Sequence, residues 1–183
     1  MPISRRNFLQ STGAVSTLAV AQAAAAESAS KPVSPNDRVQ VGCIGFGIMG
    51  QGDVKTEAAL PGVQIVAVSD VYDGRRTLAQ ERYGKQVFTT RDYRELLNRR
   101  DIDAVIVATP DHWHGRIATD ALNAGKDVYC QKPMVREVEA GHMVIEAQKK
   151  SGRILQVGSQ RVSSIMYAKA KDLIHSGAIG QVH

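Results

Sequence analysis

From Arg38 onward, short apolar runs alternate with stretches whose apolar residues recur at helical spacing. Arg38–Ile44 is an apolar run, Met49–Leu60 predicts a helix, and Val63–Ser69 is a second apolar run. Asp73–Gly84 then predicts a helix with Leu78 and Ala79 inward, Val87–Thr89 a short strand, and Asp92–Arg99 a helix capped near Thr90. Ala104–Ala108 is a strand, Trp113–Asn123 a helix stopped by Gly125, and Asp127–Cys130 a strand. Arg136–Lys150 is a helix stopped by Gly152, and Ile154–Val157 the last strand of the series. Short strands without in–out alternation, separated by amphipathic helices, predict a parallel sheet covered on both faces, a doubly wound α/β fold. Beyond it, Ser163–His175 predicts one more helix, with Ile165, Ala168, Leu173 and Ile174 as candidate buried positions and Gly177 as its stop. Ala178–His183 reads as the opening of another strand.

The first residues break this pattern. Arg5 and Arg6, followed by Phe8 and Leu9, precede an Ala-rich, uncharged stretch from Gly13 to Ala26. That arrangement predicts a signal peptide of the twin-arginine type, cleaved near Ala24–Ala29, and a mature protein in the periplasm. The stretch is shorter than the ~20 strongly apolar residues of a membrane span, so no membrane association is expected after cleavage. The expected organisation is a signal over residues 1–28, a Ser- and Pro-containing linker over 29–37, a main domain over 38–160, and a junction helix with the start of a truncated second α/β domain over 161–183.

Composition narrows the function classes. With 183 residues, of which 43% are hydrophobic and 22% charged, the chain has material for one sizeable core. The formal charge is +5, from 23 basic and 18 acidic residues, and removing Arg5 and Arg6 leaves +3. There is no run of five like charges and the aromatics are scattered, which argues against nucleic-acid binding. Lys149, Lys150 and Arg153 cluster at a helix end, where cations favour the dipole. Cys43 and Cys130 fall in strands expected to be separated by a third, roughly 10 Å apart, too far for a disulfide. They are expected as two buried thiols that pack as small hydrophobes.

Candidate chemistry begins directly after the first strand. Gly45-Phe46-Gly47-Ile48-Met49-Gly50 is a GxGxxG that opens a helix. The first glycine permits a tight turn, the second lets backbone approach a pyrophosphate, and the third lets helix and strand pack closely, while the helix N-terminus attracts the anion. Asp70, 20 residues beyond Gly50 at the end of the second strand, stands where the ribose hydroxyls of a bound adenosine would lie. The loop, strand and acid together predict a Rossmann-type dinucleotide site. The carboxylate favours NAD and would repel a 2′-phosphate, although NADP stays possible. Arg75 and Arg76 could pair with that phosphate or with adenine, but exposed helix positions commonly carry Arg, and both read as solvated surface.

Two further segments end strands on the same side of the sheet: Thr109-Pro110-Asp111-His112-Trp113-His114 and Cys130-Gln131-Lys132-Pro133. With GFGIMG and Asp70, they make the chain from Arg38 to His183 resemble the Gfo/Idh/MocA family of sugar and polyol oxidoreductases, specifically its twin-arginine-exported members. The resemblance implies a nicotinamide dinucleotide held by the loop, by Asp70, by Thr109, Pro110, His112, Trp113 and His114, and by Gln131 and Lys132, with Gln160 facing cofactor and substrate. It places Lys132 at the reaction centre, where an ammonium stabilises an alkoxide as hydride leaves, and makes His114 the other catalytic candidate. Trp113 reads as wall and His112 as a helix cap. The usual motif is Glu-Lys-Pro, and Gln131 departs from it; an amide cannot serve as a charge partner for Lys132.

The resemblance also implies a second α/β domain carrying the sugar pocket and the general base, which this chain would lack, and an oligomer formed only through that domain. Three functions are left open. One is hydride transfer between NAD(P) and a sugar or cyclitol hydroxyl, another an NAD-dependent glycosidase using transient oxidation. The third is a noncatalytic dinucleotide-binding fragment.

Overall fold

The computed structural model describes Ser34 and residues 37–181, so the expected signal and nearly all of the linker lie outside the described residues. Six strands alternate with six helices: β1 (Val39–Ile44), α1 (Ile48–Ala58), β2 (Val63–Ser69), α2 (Asp73–Tyr83), β3 (Phe88–Thr90), α3 (Tyr93–Leu97), β4 (Ala104–Val107), α4 (Asp111–Asn123), β5 (Asp127–Gln131), α5 (Val138–Ser151), β6 (Leu155–Gly158) and α6 (Ile165–His175). The strands form one sheet in the order β3-β2-β1-β4-β5-β6, and every neighbouring pair is parallel. The chain order reverses between β1 and β4, where an open α/β sheet leaves a crevice at the carboxyl ends of its strands.

Successive residues of a strand point to opposite faces, and here both faces are apolar because both are covered. In β4, Val105 and Val107 pack with Leu96, Ile117 and Leu122, on the side of α3, α4 and α5. Ile106 between them packs with Val54, Ala79 and Val41, on the side of α1 and α2. Cys43 and Cys130 are buried free thiols in these two opposite clusters, on β1 and β5 with β4 between them. Gly42 on β1 lets α3 close down, since a Cβ there would stand 2.9 Å from a Leu96 methyl. Helix α3 begins at the Asp92 N-cap, whose carboxylate accepts from the Arg94 amide at 3.0 Å, with the Thr90 hydroxyl accepting from the Asp92 amide.

Two expectations fail at the end of the chain. None of the side chains of α6 is buried, and Ile165, Ala168, Leu173 and Ile174 are all exposed. The helix follows the edge strand β6, and its apolar positions meet no partner surface among the described residues. The strand expected from Ala178 does not form among the described residues, which run as turn and irregular backbone to Gln181. No helix among the described residues is long and apolar enough to cross a membrane.

Candidate dinucleotide site

The loop between β1 and α1 is built by its glycines. Gly45 adopts φ +89, and a Cβ on it would stand 2.7 Å from the Ala108 carbonyl at the end of β4. A Cβ on Gly50 would overlap the Gly45 carbonyl oxygen, so α1 can lie this close to β1 only with glycine there. Gly47 differs: the nearest atoms to its Cβ position are those of the Arg75 guanidinium, at 3.7 Å, which leaves bare backbone facing the cleft. Gly47 is also the N-cap of α1 and supplies no side-chain cap, so the helix opens with N–H groups free for an anion.

Asp70 locks this loop. Its Oδ2 accepts from the Phe46 amide at 2.7 Å and its Oδ1 from the Tyr72 amide at 2.9 Å. Arg75 adds an ion pair at 3.4 Å. With two oxygens and about four lone-pair directions, the carboxylate keeps acceptor capacity for one further donor. Arg76 donates to the Asp70 carbonyl at 2.8 Å and pairs with Asp73, which Arg91 also grips through three hydrogen bonds from two nitrogens. Arg76 is therefore built into the Asp70 turn, contrary to the solvated-surface expectation, whereas Arg75 pairs with Asp70 but stays exposed, as expected.

A cleft of about 720 Å³ opens in front of these groups. Gly45, Gly47, Ile48 and Met49 line one side, Asp70 the end, and Thr109, Pro110 and Trp113 the other side. Arg75, Arg91 and Arg94 complete the rim beside Asp70. The Thr109 hydroxyl is buried and has no hydrogen-bond partner among the described residues. A bare glycine floor, an uncapped helix start, a carboxylate at the far end and an unpaired hydroxyl on the wall suit the pyrophosphate, ribose and polar edges of a dinucleotide. Phe46 differs from its expected role: its ring is fully buried in the α1–α2 core, edge-on to Tyr83, and only its backbone belongs to the loop.

Of the remaining expected residues, Gln131, Lys132 and Gln160 gather outside this cleft at the ends of β5 and β6, and His112 and His114 lie on the first turn of α4. Gln131 is buried; its Nε2 donates to Asp53 Oδ2 on α1 at 2.8 Å, and its Oε1 accepts from the Lys132 amide at 3.2 Å and from Gln160 Nε2 at 3.4 Å. The Lys132 side chain is exposed and has no ion-pair partner among the described residues. His112 is exposed on the first turn of α4 against Asp111 and the Trp113 ring, and the N-cap is Pro110 rather than His112.

His114 corrects the expectation of a catalytic imidazole. It is buried at 2% exposure, with Nδ1 2.7 Å from the Pro133 carbonyl oxygen and Nε2 2.7 Å from that of Thr109. Each ring nitrogen lies against a backbone carbonyl oxygen, and the single N–H of a neutral imidazole donates to one of the two, which seats the ring between the β4 and β5 loops rather than in the cleft.

Beside Gln131, α1 carries Asp53 and Glu57. Burial holds the Asp53 carboxyl above the ordinary range, an effect the Gln131 hydrogen bond partly offsets. Burial and then the Asp53 charge push Glu57 up from 4.5 to about 7. Asp53, Arg91 and Arg94 were missed in the sequence. The arginines follow β3, whose carboxyl end on the cleft side was a usable signal. Asp53 lies inside a helix with no motif of its own.

Among known proteins, residues 39–159 match the model of an oxidoreductase family with an NAD-binding Rossmann fold. Inositol 2-dehydrogenase of Salmonella typhimurium is 35% identical over 145 residues, covering 78% of this chain and 43% of that protein. Glycosyl hydrolase family 109 protein 1 of a Shewanella species is 29% identical over 207 residues, covering 98% of this chain and 44% of that protein. The structure of scyllo-inositol dehydrogenase from Lactobacillus casei with bound NAD(H) and scyllo-inositol superposes with a TM-score of 0.70 at 26% identity, over 79% of this chain and 43% of that one. The chain thus spans less than half the length of these relatives. With the loop, the strand-end carboxylate and the reversal between β1 and β4 all in place, the chain belongs to the Gfo/Idh/MocA oxidoreductase family, through its NAD-binding Rossmann fold.

Proposed function

We propose that this chain is the coenzyme-holding part of an oxidoreductase that moves hydride between NAD and a hydroxyl of a cyclitol or sugar. The observation that carries the proposal is the cleft in which an open glycine floor faces the N-terminus of α1 and Asp70 closes the end. Gly45–Gly50 hold the pyrophosphate, and the remaining acceptor capacity of Asp70 takes a ribose hydroxyl. Its negative charge makes NAD the preferred coenzyme over NADP. Thr109, Pro110 and Trp113 form the wall along which the dinucleotide lies.

When bound, the nicotinamide supplies the hydride acceptor. The exposed Lys132 ammonium stabilises the alkoxide that develops on the substrate hydroxyl, and Gln131 and Gln160 fix the turn that carries it. The inositol dehydrogenases among its relatives favour a cyclitol as the substrate. Arg5, Arg6 and the uncharged stretch that follows support export by the twin-arginine route.

Calorimetry with NAD tests the reading. Asp70→Ala is expected to weaken binding by about 1–3 kcal/mol, the value of lost charged hydrogen bonds. NAD affinity equal to that of the parent would remove Asp70 from the site. Across a panel of polyols, net NADH formation supports dehydrogenation, whereas nitrophenol release from glycosides without net NADH identifies the glycosidase alternative.

A further inference from the structure

We propose that Asp53 is a positioning residue for the Lys132 turn, and that it makes an amide rather than a carboxylate the required side chain at position 131. The functional consequence rests on the dinucleotide reading above; the geometry does not. As a carboxylate, Asp53 can only accept a hydrogen bond, and the Lys132 amide can only donate one. These two partners sit at the two atoms of the Gln131 carboxamide, 2.8 Å from its nitrogen and 3.2 Å from its oxygen, and together they permit one amide orientation. Gln160 makes a third contact, from the loop after β6. Gln131 is buried at 3% exposure, so water cannot replace a lost partner cheaply.

The chain of contacts crosses three elements. Asp53 rides on α1, the helix whose N-terminus faces the cleft; Gln131 ends β5; Lys132 follows it. A rigid link between the phosphate-holding helix and the lysine sets the distance from pyrophosphate to reaction centre. It also accounts for the departure from Glu-Lys-Pro. A glutamate at 131 would bring two carboxylates to about the 2.8 Å now spanned by the amide, with Glu57 adding a third acid one turn further along α1. Burial first, and then these same acids, disfavour the anions of Tyr129 on β5 and Cys43 on β1.

The test uses the full chain. In isotope-labelled protein, Asp53→Ala is expected to shift the Lys132 amide resonance and speed its hydrogen exchange, although residue 53 is remote in sequence. By calorimetry, Gln131→Glu should weaken NAD binding about tenfold near neutral pH and lower the thermal midpoint. Exchanging the two groups, Asp53→Asn with Gln131→Glu, keeps every hydrogen bond and reverses the polarity of the one between positions 53 and 131 alone, and should return both values to within about twofold of the parent. An unmoved Lys132 amide in Asp53→Ala, or an exchanged pair no better than Gln131→Glu alone, overturns the proposal. A parent protein that binds no NAD defeats the functional reading instead, and the Lys132 amide and the thermal midpoints then decide the positioning role by themselves.

Discussion

His114 shows how one side chain can be conspicuous in sequence and ordinary in chemistry. It follows two cleft residues and lies beside a tryptophan, yet its ring is buried between the carbonyls of Thr109 and Pro133. His114→Ala should therefore cost stability, about 1–3 kcal/mol by urea unfolding, because a loop carbonyl loses its donor and a buried ring is removed. A variant as stable as the parent but unable to turn over substrate would restore the catalytic assignment. The contrast with Lys132 is physical: its ammonium is exposed beside the cleft and unclaimed by any acid among the described residues.

At the scale of elements, the most constrained contact is that of α1 against β1. Gly50→Ala would place a methyl group on the Gly45 carbonyl, and α1 would have to lift or the loop to open. A loss of about 1–3 kcal/mol is expected, read as a lower urea midpoint at unchanged m value. A midpoint equal to the parent's would show that the helix has room to move. The strands, helices and the glycine loop were legible in the sequence because each carries a local signal: an apolar run, a helical period, a glycine at a turn. Boundaries moved by a residue or two, as at α4, which starts at Asp111 rather than Trp113. What local pattern cannot supply is the partner of a surface. The apolar positions of α6 have helical spacing but nothing to cover, and Asp53 acquires its meaning only from Gln131, a neighbour through folding alone.

For the whole molecule, the acid pair on α1 links folding to pH. The native state holds the Glu57 proton up to about 7, whereas an unfolded chain releases it near 4.5. Between these values the native state binds more protons, so stability is greater on the acid side and falls as pH rises through about 7. Urea unfolding at about pH 5 and about pH 8 should show this decline, and Glu57→Gln should flatten it. An identical slope in that variant would place the proton elsewhere.

The strand order carries a kinetic consequence. Every lateral pairing in the sheet joins strands that follow one another in the chain, except that of β1 with β4, which brings Val41 beside Ala104. The nascent polypeptide must therefore close its longest loop to create the seam on which the coenzyme would rest. Two half-sheets can each zip up early from nearby segments, so competence to capture a ligand arrives late, with their docking, and a coenzyme that prefers the docked form would act as a latch on that final event.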